Sequence, residues 1–192
     1  ARLEAKGRWI DDALQSMRHS NRLAAECFRR FGASACTDLT GFGLLGHLVE
    51  MTRPSEVDAT IYLSALPILD GAERTVAAGI LSSLQPANVR LRRAIRDAGV
   101  IVNHPRYPLI FDPQTAGGLL TSVSADQAEA CVRELISLGY SHTCIIGAVH
   151  PKGNALEPIT VQDYSYRLPP TKRLFPPLEC NVEPLPDTYQ SI

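Results

Sequence analysis

The chain has 192 residues, of which 45% are hydrophobic and 20% charged. A chain of this length can bury roughly 70% of its extended surface, which excludes a wholly disordered, collagenous or coiled-coil protein. Nineteen Lys and Arg against twenty Asp and Glu leave a net charge of −1, so nothing draws the whole molecule toward nucleic acid or an anionic membrane.

From the N-terminus, Trp9, Ile10, Ala13, Leu14 and Met17 recur at helical spacing, and Leu23, Ala24, Cys27 and Phe28 repeat the pattern up to Gly32. Two helices are expected, with Ser20-Asn21 offering the N-cap of the second. A short strand over Ala33 to Cys36, a turn over Thr37 to Gly41 and a helix over Phe42 to Met51 follow. Val57 to Leu63 alternates as a half-buried strand does, and Pro67 suits the first turn of a helix reaching about Ala78 and closed by Gly79. Asn88 to Ala98 reads as a helix capped by Asn88. Leu109-Ile110-Phe111 and Leu119 to Val123 read as strands on either side of Asp112-Pro113-Gln114-Thr115-Ala116-Gly117-Gly118. Ala125 to Leu138 is amphipathic, with Ser124 as cap and Gly139 as stop. Thr143 to Val149 and Leu156 to Val161 complete the set as strands.

Helices and strands are interspersed, so the expected class is α/β, a layered sandwich with a mixed sheet, over residues 1–163. Six of the fourteen prolines fall between Pro169 and Pro186, and residues 164–192 are expected to be an extended or disordered tail. No apolar run approaches the ~20 residues that span a bilayer, and the N-terminus lacks a hydrophobic signal core, so a cytoplasmic location is expected. Ala1 begins in mid-pattern, which raises the expectation of a piece of a longer protein.

Gly41-Phe42-Gly43-Leu44-Leu45-Gly46 fits G-x-G-x-x-G between a strand and a helix. A dinucleotide site also needs an acidic residue at the end of the next strand, whereas Leu63 is followed by Ser64-Ala65-Leu66-Pro67 and Asp58 stands at the wrong end. A NAD or FAD site is therefore not expected. The loop keeps its capacity to let backbone N–H groups approach an anion at a helix N-terminus. Asp38 precedes it, and a carboxylate beside phosphate is unfavourable unless a divalent cation lies between them. Spacing alone favours an Asp that caps the following helix over a magnesium ligand.

Two segments, Ala35-Cys36-Thr37-Asp38-Leu39-Thr40-Gly41-Phe42-Gly43-Leu44-Leu45-Gly46-His47 and Phe111-Asp112-Pro113-Gln114-Thr115-Ala116-Gly117-Gly118-Leu119-Leu120, resemble selenophosphate synthetase (selenide, water dikinase). The resemblance runs from about Trp9 to Val161 and covers the C-terminal domain of that family, a fold shared with aminoimidazole ribonucleotide synthetase. It implies an enzyme that converts ATP, selenide and water to selenophosphate, AMP and phosphate with Mg²⁺, as a homodimer when full-length. It also implies that Asp38 is a magnesium ligand, which reverses the preference from spacing, and that Gly41 and Gly43 approach the phosphates. Asp112, Gln114, Thr115, Gly117 and Gly118 are expected to shape a tight loop near a domain interface rather than to catalyse.

The family's reactive Cys or selenocysteine, catalytic Lys, glycine-rich lid and most metal-binding aspartates lie in its N-terminal half, and no residue here matches them. The chain alone is therefore expected to be inactive, and no catalytic residue is assigned within it. A truncated binding or regulatory module that pairs with the full-length enzyme is the alternative. Cys27, Cys36, Cys131, Cys144 and Cys180 are odd in number and lack C-x-x-C spacing, which points to reduced thiols rather than disulfides or structural zinc, and small buried hydrophobe is their default role. His47 is expected to be a surface or packing residue. Ala116 stands where the family usually has Ser.

Overall fold

A computed structural model describes residues 4–163 together with Gln190 and Ser191; the rest of the expected tail lies outside the described residues. The first two periodic segments form α1 (Gly7–Arg18) and α2 (Arg22–Arg30). Helix α2 buries Ala24, Cys27 and Phe28, which pack with Cys131 and Leu135. Helix α1 departs from expectation: none of its residues is buried, and Ile10 and Leu14 are 51% and 50% exposed. It is held near its two ends instead, where the Trp9 indole donates to Asp70 at 3.0 Å and the Tyr140 hydroxyl donates to the Ser20 carbonyl at 2.7 Å.

The sheet is mixed and seven-stranded, in the order β1-β4-β7-β5-β2-β6-β3. Its strands are β1 (Ala35–Asp38), β2 (Val57–Tyr62), β3 (Ile95–Arg96), β4 (Leu119–Ser124), β5 (Gly147–Pro151), β6 (Ile159–Gln162) and β7 (Gln190–Ser191). Pairings of β2 with β6 and of β6 with β3 are parallel, and the others are antiparallel. Helix α3 (Gly43–Thr52) lays Leu45, Leu48 and Val49 on Ala59 and Ile61 of β2, and Ile110 and Phe111 complete that core. Helix α6 (Ala125–Ser137) matches the expected amphipathic segment, with Ala128, Cys131 and Leu135 buried and Ser124 at its N-cap position. This is the α/β class expected.

Six local expectations are corrected. The first strand ends at Asp38 rather than Cys36, because its ladder with β4 continues to the pair Asp38 and Leu119. Strand β2 is buried on both faces, not one: Asp58 is paired with Arg96 at 2.6 Å, and Thr60 with His150 at 2.9 Å, so the polar positions are satisfied without water. The helix expected from Pro67 begins only at Ala72, as α4 (Ala72–Ala77). Gly71, at φ +88, leaves space that the Trp9 ring fills, and a Cβ there would lie 2.2 Å from it.

The helix expected over Asn88 to Ala98 is instead a short α5 (Gln85–Asn88), a 3₁₀ stretch Val89–Ala94 and strand β3, since Ile95 and Arg96 enter the sheet beside β6. Leu109-Ile110-Phe111 belongs to a 3₁₀ turn, Tyr107–Phe111, not a strand; Pro108 in its first turn has a fixed φ and no N–H to offer a ladder. Of the strands expected over Thr143 to Val149 and Leu156 to Val161, β5 begins only at Gly147 and β6 only at Ile159, and β2 separates the two in the sheet.

Candidate functional site

The antiparallel ladder of β1 and β4 brings the two sequence motifs together, because one leaves the end of β1 where the other enters β4. The Leu39 amide donates to the Gly118 carbonyl at 2.9 Å. The Thr40 carbonyl then accepts two amides, Gly43 at 3.1 Å and Gln114 at 2.9 Å, so one peptide oxygen closes the first loop and binds it to the second. Asn88 Nδ2 donates to the carbonyls of Gly41 (2.8 Å) and Phe111 (3.0 Å), adding a side-chain bridge between the same segments. Asn21 Nδ2 donates to the Gly117 carbonyl at 2.9 Å. Asn21 occupies the N-cap position of α2 but makes no side-chain cap, and neither does Asn88 for the stretch after it.

The glycines divide by what surrounds them. Gly43 sits at φ +68, and a Cβ on it would lie 2.9 Å from the Asp112 carbonyl oxygen. A Cβ on Gly117 would lie 2.3 Å from the Leu39 carbonyl oxygen, and one on Gly46 would lie 2.5 Å from Phe42 Cβ. These three are required by the protein's own packing. Gly41 and Gly118 have open space where a Cβ would stand. Two of the three glycines of the G-x-G-x-x-G pattern thus have a structural reason that owes nothing to a dinucleotide.

Asp38 is exposed at the last position of β1. The cap of α3 is Phe42, with no side-chain cap, so Asp38 does not play the capping role that spacing favoured. Among the described residues no side chain hydrogen-bonds or ion-pairs with its carboxylate. Asp112, in the adjoining loop, is half-buried, and burial pushes its carboxyl above the usual carboxylate range. Among the described residues no group of three or more His, Cys, Asp and Glu is assembled to hold a metal ion.

Two of the described cysteines, Cys36 and Cys131, lack the lowered thiol of a nucleophile. Cys36 is exposed, contrary to the buried role expected, yet its thiol is pushed up, chiefly by desolvation, and the Asp38 charge adds to the effect while Thr121 opposes it. Cys131 is pushed up to about 12, by burial first and by the adjacent Cys27 second. An activated thiol would move the other way. Of the two roles expected for His47, surface or packing, it takes the packing one. It is only 5% exposed, and its Nε2 accepts the Thr40 amide at 3.0 Å inside the first loop. Thr40, His47, Asn21 and Asn88 are the residues that sequence reading left out of the site. Thr40 and His47 carried one signal, their place inside the first motif, whereas Asn21 and Asn88 lie far from the loops in sequence and read locally as caps.

The family model of the AIR synthase related protein, C-terminal domain, matches residues 4–156. Among curated proteins, the chain is 38% identical over 145 residues to the selenide, water dikinase of Clostridioides difficile, an overlap covering 74% of this chain and 41% of the relative. It is 41% identical over 146 residues to that of Desulfitobacterium hafniense, again 74% of this chain and 41% of the relative. For that of Geobacter metallireducens the identity is 36% over 150 residues, 77% of this chain and 43% of the relative. The chain therefore spans less than half the length of these relatives. No helix among the described residues is long and apolar enough to cross a membrane. The motif junction, the mixed α/β fold and these matches agree: the chain belongs to the AIR synthase related protein C-terminal domain family, and its curated relatives are selenide, water dikinases.

Proposed function

We propose that this chain, with residues 1–163 as its domain and 164–192 as an appended tail, supplies the C-terminal share of an ATP- and Mg²⁺-dependent selenophosphate synthetase. The reaction is ATP, selenide and water to selenophosphate, AMP and phosphate, carried out by a cytoplasmic homodimer. The reading rests above all on the exposed Asp38 carboxylate at the junction of the two loops, which has no partner among the described residues. Such a carboxylate suits a divalent cation as one donor, because Mg²⁺ takes one or two carboxylates together with phosphate oxygens and water. A bound Mg²⁺ would offset the repulsion between carboxylate and triphosphate.

The described residues do not complete such a site, so the remaining donors come from ATP and from residues beyond them. Gly41, with open space at its Cβ position, leaves room for the phosphates, while Gly43 fixes the turn that presents them to the backbone. Asp38 and the loops bind and orient; the covalent steps fall to other residues. The test is to mix the chain with ATP, Mg²⁺ and selenide. No AMP is expected from it alone, and robust AMP release would refute a site shared in this way.

A second reading, a non-catalytic module that pairs with the full-length enzyme, draws support from α1. Ile10, Leu14 and Met17 form an exposed apolar stripe on a helix that leads directly to Asn21 and the second loop. Co-purification of the chain with a full-length selenide, water dikinase favours that reading, and failure to co-purify removes it.

A further inference from the structure

We propose that His47 is the positioning residue of the Asp38 to Gly43 loop, held as the Nδ1–H tautomer so that Nε2 can receive the Thr40 amide. A backbone N–H can only donate, and Thr40 N lies 3.0 Å from His47 Nε2, so that nitrogen carries a lone pair and the ring proton resides on Nδ1. The Thr40 hydroxyl, 3.1 Å from the same nitrogen, competes for that single lone pair. Nδ1 is approached by the Glu50 carboxylate at 3.4 Å without closing a hydrogen bond.

The need for such an acceptor follows from the strand ending. The β1 ladder stops at Asp38, and the Leu39 amide is satisfied by Gly118, which leaves the Thr40 amide with no strand partner. An amide left unpaired there is costly. His47 meets that need from the first turns of α3, and the Phe42 ring lies against it with centroids 5.6 Å apart, over a position kept clear by Gly46. Because the Thr40 carbonyl holds both Gly43 and Gln114, fixing the Thr40 amide fixes the join between the two loops. A residue that only filled volume could be replaced by another ring, whereas an acceptor could not. The inference depends on the function proposed above in one respect only, that this loop is the site.

The test uses the ¹⁵N-labelled chain as wild type, His47→Phe and His47→Gln. Long-range ¹H–¹⁵N spectra of the wild type are expected to show Nδ1 protonated and Nε2 bare. Amide exchange at Thr40 is expected to quicken about tenfold in His47→Phe, with Gln114 following, and to return toward wild type in His47→Gln, whose carbonyl restores an acceptor. A protonated Nε2 in the wild type overturns the proposal. So does Thr40 exchange within about twofold of wild type in a folded His47→Phe chain, or a Gln variant no better than the Phe variant. Should His47→Phe fail to fold, the wild-type tautomer and the Gln variant decide. Paramagnetic broadening by Mn²⁺ with ATP, read at Asp38 in the wild type, tests the metal reading separately: its absence removes that reading and leaves the exchange result standing.

Discussion

The Thr40 carbonyl accepts the Gln114 amide at 2.9 Å, so the loop that follows β1 and the loop that precedes β4 are hydrogen-bonded to each other as well as adjacent. Two loops tied in this way have little freedom to yield separately. Gly117 tests the tie most directly, because its missing side chain faces the Leu39 carbonyl oxygen at 2.3 Å from an ideal Cβ. Gly117→Ala is expected to lower stability by about 2–3 kcal/mol, as overpacking against backbone does. Gly41→Ala, in open space, is expected to stay within about 0.5 kcal/mol. Urea unfolding of both variants checks the contrast, and equal effects would show that the loops are not locked together.

Asp38 makes the opposite prediction. An exposed carboxylate with no partner among the described residues adds little to folding, so Asp38→Asn is expected to change stability by less than about 0.5 kcal/mol, against about 1 kcal/mol for the loss of a true helix cap. Its effect belongs to function. When the chain is paired with the remainder of a selenide, water dikinase, AMP formation is expected to fall by roughly 100-fold or more. Full activity in Asp38→Asn would remove the residue from the site.

Asn88 carries two carbonyls that no neighbouring backbone serves, Gly41 O and Phe111 O, and it is itself buried. Asn88→Ala leaves both without that donor. The expected loss is about 2 kcal/mol, measured by thermal or urea unfolding, with Asn88→Asp no better because a carboxylate cannot donate. A loss below about 0.5 kcal/mol would show that the bridge is dispensable.

What could be read from the sequence follows the range of the interactions involved. Helix α6 was legible because its apolar residues, its N-cap serine and its terminal glycine all lie within one continuous segment. Both motif segments were legible because their residue order is distinctive, although their meeting is a product of the β1/β4 ladder. The segment after Asn88 was not legible. Its spacing suits a helix, and only the distant β6 draws Ile95 and Arg96 into the sheet. Three consecutive apolar residues, Leu109 to Phe111, carry no period at all, so Pro108 and the core decided their form. Asn21, Asn88 and His47 share one cause of misreading. Each has a side chain that could act locally, yet each binds a loop backbone whose position only the folded chain defines.

The buried polar face of β2 yields a pH prediction. His150 stands opposite Asp58 in the β2/β5 register and bonds Thr60, and burial holds its imidazole below the ordinary value of 6.5. Arg96 pushes the same way, while Asp58 works against both. The unfolded chain therefore binds the proton more readily than the folded one, and stability rises with pH wherever that difference persists. The contribution is complete above about pH 6.5 and is lost as pH falls from there toward the folded value, below which it changes no further. One proton limits the slope to about 1.4 kcal/mol per pH unit. His150→Gln, which keeps a polar group near Thr60 but cannot take up a proton, is expected to flatten this part of the stability–pH curve and to leave the curve above pH 7 parallel to wild type. Denaturant melts at intervals between pH 5 and 8 measure it, and an unchanged slope below about pH 6.5 would show that His150 titrates alike in the folded and unfolded chains.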